Sequence, residues 1–141
     1  MKRFLRLVCL FTVFATLAAV PSFAQEAAPR ASKELSSYRA YCTKTSSTTV
    51  VVSYQVLGAT LLDEIGVNTV KVQYSSDGVN WTTAKTFNKA NYTSMVDYNT
   101  SAHAGTLTAT VPSGKQYRAY VEFYGEKDGN FSERYYYTTV I

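Results

Sequence analysis

The chain has 141 residues, 14 of them basic and 10 acidic, with a formal net charge of +4 and a pI near 9.0. Three of the 14 basic residues and none of the 10 acidic ones fall within residues 1–24, so eleven against ten remain beyond, a net charge of +1. That near-neutral remainder excludes a strongly basic nucleic-acid binder, suits one domain rather than two, and holds no apolar run of the roughly 18 residues needed to span a membrane.

In chain order, Lys2, Arg3 and Arg6 precede an apolar run over 7–20, and Pro21-Ser22-Phe23-Ala24 follows with small residues at Ser22 and Ala24. This pattern predicts a secretory signal peptide over 1–24, cleaved between Ala24 and Gln25, and so an extracellular protein. Residues 25–36 read as a flexible leader in which Pro29 interrupts any helix. Residues 37–141 read as one domain dominated by period-two patterning. Tyr38, Ala40 and Cys42 alternate with Arg39, Tyr41 and Thr43; Val50, Val52, Tyr54 and Val56 alternate with Val51, Ser53, Gln55 and Leu57, ending at Gly58. Val70, Val72 and Tyr74 form a third run, and Leu107, Ala109 and Val111 a fourth among threonines. Tyr117, Ala119, Val121 and Phe123 alternate with Arg118, Tyr120, Glu122 and Tyr124, and Tyr135, Tyr137, Thr139 and Ile141 with Arg134, Tyr136, Thr138 and Val140. Valine, threonine and tyrosine suit half-buried pleated strands, and no 3.6-residue apolar repeat competes.

The joints carry turn chemistry. Asp77-Gly78 and Asp128-Gly129 offer the positive-φ positions of tight hairpins, and Val111-Pro112-Ser113-Gly114 fits a type I turn. The polar segment 88–105 has no clean period and is expected to wrap an edge, with one short strand near 92–95. About seven short strands and no helix predict an all-β antiparallel β-sandwich. Tyr117, six residues after Val111 across the proline–glycine turn, looks like the tyrosine corner of fibronectin type III and immunoglobulin-like domains, and Trp81 like their core aromatic. Cys9 leaves with the signal, so Cys42 is the single cysteine beyond it and is expected to be a small buried side chain.

Four stretches together carry a resemblance: Leu62-Asp63-Glu64-Ile65-Gly66, Asp77-Gly78-Val79-Asn80-Trp81-Thr82, Asn99-Thr100-Ser101-Ala102-His103-Ala104-Gly105, and Tyr117-Arg118-Ala119-Tyr120-Val121-Glu122-Phe123-Tyr124. They resemble small secreted bacterial proteins carrying a single domain of unknown function, whose first motif usually reads Met-Asp-Glu-Ile-Gly; Leu62 departs by a volume-conserving swap. The resemblance spans most of 60–137 and implies a bacterial, exported, immunoglobulin-like domain, with no activity attached. Tyr74-Ser75-Ser76-Asp77-Gly78-Val79-Asn80-Trp81 is also similar to a hairpin of discoidin-type carbohydrate-binding domains, which makes a discoidin-like jelly roll the second fold choice.

The residues present do not favour catalysis. His103 is the single histidine, so a metal site would need Cys42 and carboxylates from separate strands, and neither a phosphate loop nor a Gly-x-Ser-x-Gly elbow occurs. No cofactor is implied. His103 is expected to be a loop residue bonded to nearby backbone. Asp63 and Glu64, as neighbours on an extended chain, point to opposite faces; one of them is expected to cap a tight loop that Gly66 closes. Binding has more support, because sixteen aromatics lie beyond residue 24. Alternation assigns Tyr54, Tyr74, Tyr117, Phe123 and either Tyr135 or Tyr137 to the core. It leaves Tyr120, Tyr124 and Tyr136 on an opposite, exposed face beside Arg118 and Arg134, sharing that sheet surface with Lys71 and Gln73. Tyrosine with arginine is the composition of recognition surfaces, which makes these five residues the candidate site for a glycan or a cell-surface protein. A monomeric, non-catalytic binding module is the expectation; a small structural or inhibitor-like protein without a dedicated ligand is the alternative.

Overall fold

The computed structural model describes residues 33–141, so the expected signal peptide and most of the expected leader lie outside the described residues. Six strands follow one another: β1 (Leu35–Ser46), β2 (Thr49–Ser75), β3 (Thr82–Asn88), β4 (Val96–Thr110), β5 (Gln116–Lys127) and β6 (Asn130–Tyr137), with a single 3-10 turn at Thr93–Met95. Every pairing is antiparallel, and all six strands belong to one curled sheet. The all-β reading holds.

The long second strand organises the curl. Its first part pairs with β1 on one side and with the 102–110 part of β4 on the other; its second part pairs with β5 and with β3. Between Leu57 and Leu62 the β2–β4 register shifts, and four residues of β2 stand against Ser101 alone. An excess of residues on one strand bends it, and here the bend separates the two parts of β2. This is why sequence periodicity splits the strand at Gly58 and yields about seven strands instead of six. The alternation lapses at Ala59-Thr60-Leu61, all exposed at the bend, while the backbone stays extended. A second difference concerns 88–105. The short strand expected near 92–95 is the 3-10 turn, and Val96–Thr110 is one continuous strand. Its first half lies at the sheet margin with most side chains in solvent, so no apolar period marks it. The first strand opens at Leu35 rather than after residue 36, because Leu35 is fully buried and Gly125 leaves room for it: a Cβ at Gly125 would lie 2.6 Å from the leucine side chain.

The alternating residues Val50, Val52, Tyr54, Val56, Val70, Val72, Tyr117, Ala119, Val121 and Phe123 all face the interior, joined by Tyr38, Ala40 and Cys42 of β1. Curling brings β1 over β5, with the Tyr38 and Phe123 rings 5.1 Å apart. Each fully buried valine contributes roughly 1.5–3 kcal/mol relative to exposure. The hairpin turn at Asp128-Gly129 has φ of +51° and +76°, the doubly left-handed geometry that the Asp-Gly pair favours, with Lys127 paired to Asn130.

Tyr117 is fully buried and its hydroxyl donates to the carbonyl of Pro112 at 2.5 Å, five residues upstream. Tyr117→Phe should therefore cost roughly 1–3 kcal/mol, since it strands a carbonyl that the corner otherwise satisfies. A chemical-denaturation midpoint unchanged from wild type would rule out that role. Trp81 departs from expectation: it is half-buried on the outer side of the sheet, not a core residue. The last strand departs as well. Tyr136 stands opposite Val121 and packs against the core, whereas Tyr135 and Tyr137 face outward. Thr138 N–H still bonds Ala119, but Ile141 exchanges bonds with Tyr117, so three residues on one chain match two on the other. That extra residue inverts the faces, and a phase counted back from Ile141 places the tyrosines on the wrong side.

Candidate binding face

The outer surface of β3, the second part of β2, β5 and β6 is built by register. Directly opposed residues of antiparallel strands share a face, so Lys71 lies beside Tyr120, Gln73 beside Arg118, Tyr137 beside Tyr120 and Tyr135 beside Glu122. The result is a ladder of stacked groups. The Arg118 guanidinium lies 4.2 Å from the centroid of the Trp81 ring and 4.5 Å from that of Tyr137, held in place by its Nε–H bond to Gln73 at 2.9 Å. Tyr137 meets Tyr120 at 5.2 Å, Tyr120 stacks on Tyr135 at 5.8 Å, and the Lys71 ammonium sits 5.6 Å over Tyr120. Tyr135 is 60 % and Tyr137 48 % exposed. Burial pushes the Tyr120 hydroxyl up to about 12, and Glu122 adds to the effect.

Of the five residues predicted for the site, Arg118 and Tyr120 belong to this ladder. Tyr124 faces the same way but is only 8 % exposed, covered by Lys89 at 4.0 Å and by Phe131 at 6.2 Å, with its hydroxyl donated to the Glu126 carboxylate. Burial first, and that bond second, hold the hydroxyl well above the usual tyrosine range. Tyr136 and Arg134 are corrected to the other face: Tyr136 is packed on the core, and Arg134 stands opposite buried Phe123 and bonds the carbonyl of Glu133 at 2.7 Å. Tyr135, Tyr137, Phe131 and Trp81 take their place. The consecutive Tyr135-Tyr136-Tyr137 puts aromatics on both faces, so composition announced the ladder while leaving its phase open.

The remaining polar candidates are engaged elsewhere. His103 is not in a loop. It lies buried on β4 beside Tyr54, with ring centroids 5.7 Å apart, and its Nδ1 pairs with the Asp97 carboxylate at 2.8 Å. Among the described residues no group of three or more His, Cys, Asp and Glu is placed to hold a metal. Asp63 accepts the backbone N–H of Asp128 at 2.7 Å and so caps the β5–β6 turn, while Glu64 pairs with Lys89 at 2.8 Å. Gly66 does not close a turn after them; it is a strand residue between Val96 and Tyr124. The Asp77 carboxylate accepts the Asn80 N–H and side-chain amide, the Val79 N–H and the Ser75 hydroxyl, which hold it well below the usual carboxylate range. A concavity of about 400 Å³ opens between Glu34, Leu62 and Asp128, where the Glu34 carboxylate already accepts the Ser132 hydroxyl.

Alkali should loosen the fold. Burial pushes the Tyr54 hydroxyl from 10.0 up to about 12, with Asp97 adding to it, and the Cys42 thiol from 9.0 up to about 11 against the bond to Thr138. Both groups are kept neutral by the fold and ionise more readily once unfolded. Their stabilisation is complete below pH 9 and is lost as pH climbs through 11 and 12. The melting temperature should hold level below that window and fall within it, and Tyr54→Phe should flatten the upper part of the fall.

No protein-family model matches the chain, and no match to a curated protein was found. Among solved structures, a crystal structure of a protein from Archaeoglobus fulgidus aligns with 76 % of this chain and 95 % of its own length, at 10 % identity and a TM-score of 0.39. Among the described residues no helix is long and apolar enough to cross a membrane.

Proposed function

We propose that the protein is a secreted, non-catalytic binding module whose outer sheet face, centred on Tyr120, Tyr135 and Tyr137, engages an extracellular glycan or protein. One observation carries the reading: three tyrosines, one tryptophan and an arginine stack into a continuous, partly exposed ladder on a single face. Rings pre-stacked in this way offer a large rigid contact area at little further entropic cost. Export is supported by the basic, apolar and small-residue sequence of 1–24. An immunoglobulin-like sandwich of the fibronectin type III kind is supported by the Tyr117 bond to Pro112 and by the strand neighbours, β1 with early β2 and late β4, and β3 with late β2, β5 and β6.

The test is a double substitution, Tyr135→Ser with Tyr137→Ser. Both rings are outward, so the fold should survive with a loss of roughly 0.2–1 kcal/mol for each cross-strand pair removed. Binding to any partner identified on a glycan array or by pull-down with defined extracellular proteins should disappear. Full retention of binding would make the ladder a purely structural device.

A further inference from the structure

The two ends of the ladder differ in charge, and the difference points to the chemistry of the ligand. At the Trp81 end the face already holds its own cations: Arg118 lies between Trp81 and Tyr137, and Lys71 lies over Tyr120. At the Tyr135 end no lysine or arginine of the described chain covers the ring, which is 60 % exposed. Directly opposite Tyr135 stands Glu122. Its acidic neighbours are occupied, Glu133 by the Asn68 amide at 2.9 Å, Glu126 by the Tyr124 hydroxyl and Glu64 by Lys89. Glu122 has no hydrogen bond or ion pair among the described residues, although it is half-buried between Tyr120 and Tyr124 on β5. A carboxylate held beside an exposed ring, without a cation of its own, is the complement of a positive group. A guanidinium fits best, because its plane stacks on the ring while its N–H fork reaches the carboxylate.

The strand that carries Tyr135 adds a second indication. Among the described residues β6 is terminal in the sheet order and β5 is its one strand partner, so no described strand lies along its other edge. An extended segment laid along that edge would place every second side chain on the ladder face. Resting on the binding role proposed above, we infer that the face takes an arginine side chain from an extended basic segment of a partner polypeptide, seated on Tyr135 and paired with Glu122. The internal Arg118 stack shows the geometry that the incoming side chain repeats.

The probe is a short synthetic peptide alternating arginine and threonine, titrated into the exported protein. Fluorescence of Trp81, the single tryptophan at the far end of the ladder, and calorimetry report binding. The arginine peptide should bind and weaken with added salt, and the same peptide with citrulline for arginine should bind about tenfold more weakly or worse. Glu122→Gln should lose affinity by a similar factor at an unchanged melting temperature, since the amide keeps the shape of the side chain and Glu122 has no hydrogen bond or ion pair among the described residues to lose. Equal binding of the citrulline peptide, or undiminished binding by Glu122→Gln, overturns the inference. If the arginine peptide fails while a glycan binds and is lost on Tyr135→Ser with Tyr137→Ser, the cationic ligand is wrong and the binding face stands. If neither class binds, both fall together.

Discussion

Gly66→Ala should cost about 3 kcal/mol or more, at the upper end of what overpacking imposes and a large share of a typical domain stability of roughly 5–15 kcal/mol. The reason is backbone rather than side chain. A Cβ built on Gly66 would lie 2.2 Å from the carbonyl oxygen of Met95 and 2.7 Å from the Cα of Val96. Neither can retreat easily, because Met95 ends the 3-10 turn, is fully buried, and leads directly into β4. Gly66 is also bracketed on both edges, paired with Val96 of β4 and with Tyr124 of β5. A strand with a free edge could shift to admit a methyl group; this one is held on each side. Chemical denaturation of the purified variant checks the expectation. Gly129→Ala makes the contrast, since a Cβ there meets nothing within 4 Å and the cost is confined to its φ of +76°. Equal midpoints for wild type and Gly66→Ala would mean that the β2–β4 approach is looser than the structure has it.

Phe123→Ala should destabilise by about 3–5 kcal/mol, the usual range for removing a buried aromatic ring. Phe123 is fully buried on β5, faces Tyr38 across the core at 5.1 Å and pairs with Val67 of β2. The cavity would open where β1 crosses β5, the contact through which the curled sheet closes on itself, so relaxation on one side would expose the other. Trp81→Ala should cost clearly less despite the larger ring, because Trp81 is half-buried and its specific partner is the Arg118 guanidinium, a contact worth roughly 0.5–1 kcal/mol at an exposed site. Urea midpoints for the two variants, measured side by side, decide the order. A larger loss at Trp81 would reinstate it as the core aromatic that its position after the Asp-Gly hairpin suggested.

Period-two alternation by itself determined that the domain is all-β and which residues of the runs 50–56, 70–74, 107–111 and 117–123 face inward. A pleated strand leaves its side chains no other freedom, and every valine, tyrosine or phenylalanine in the clean runs Val50–Val56 and Tyr117–Phe123 obeys it. Asp128-Gly129 likewise announced its hairpin, because the backbone there demands left-handed φ that few other pairs supply. Local pattern could not determine the length of β2, the extension of β4 back to Val96, or the phase of β6. A bend that stays extended shows no break in the chain's conformation, only in its exposure. A strand at the sheet margin is solvated on both faces and shows no period. Three consecutive tyrosines fit either phase, and only pairing with β5, with its one-residue irregularity before Ile141, selects Tyr135 and Tyr137 as the outward rings. The candidate face was therefore legible as a composition of tyrosine and arginine, while its membership was decided by register. Neighbours in the ladder come from three strands and a turn, and nothing within any one segment places Trp81 against Arg118 or leaves Glu122 without a hydrogen bond or ion pair among the described residues.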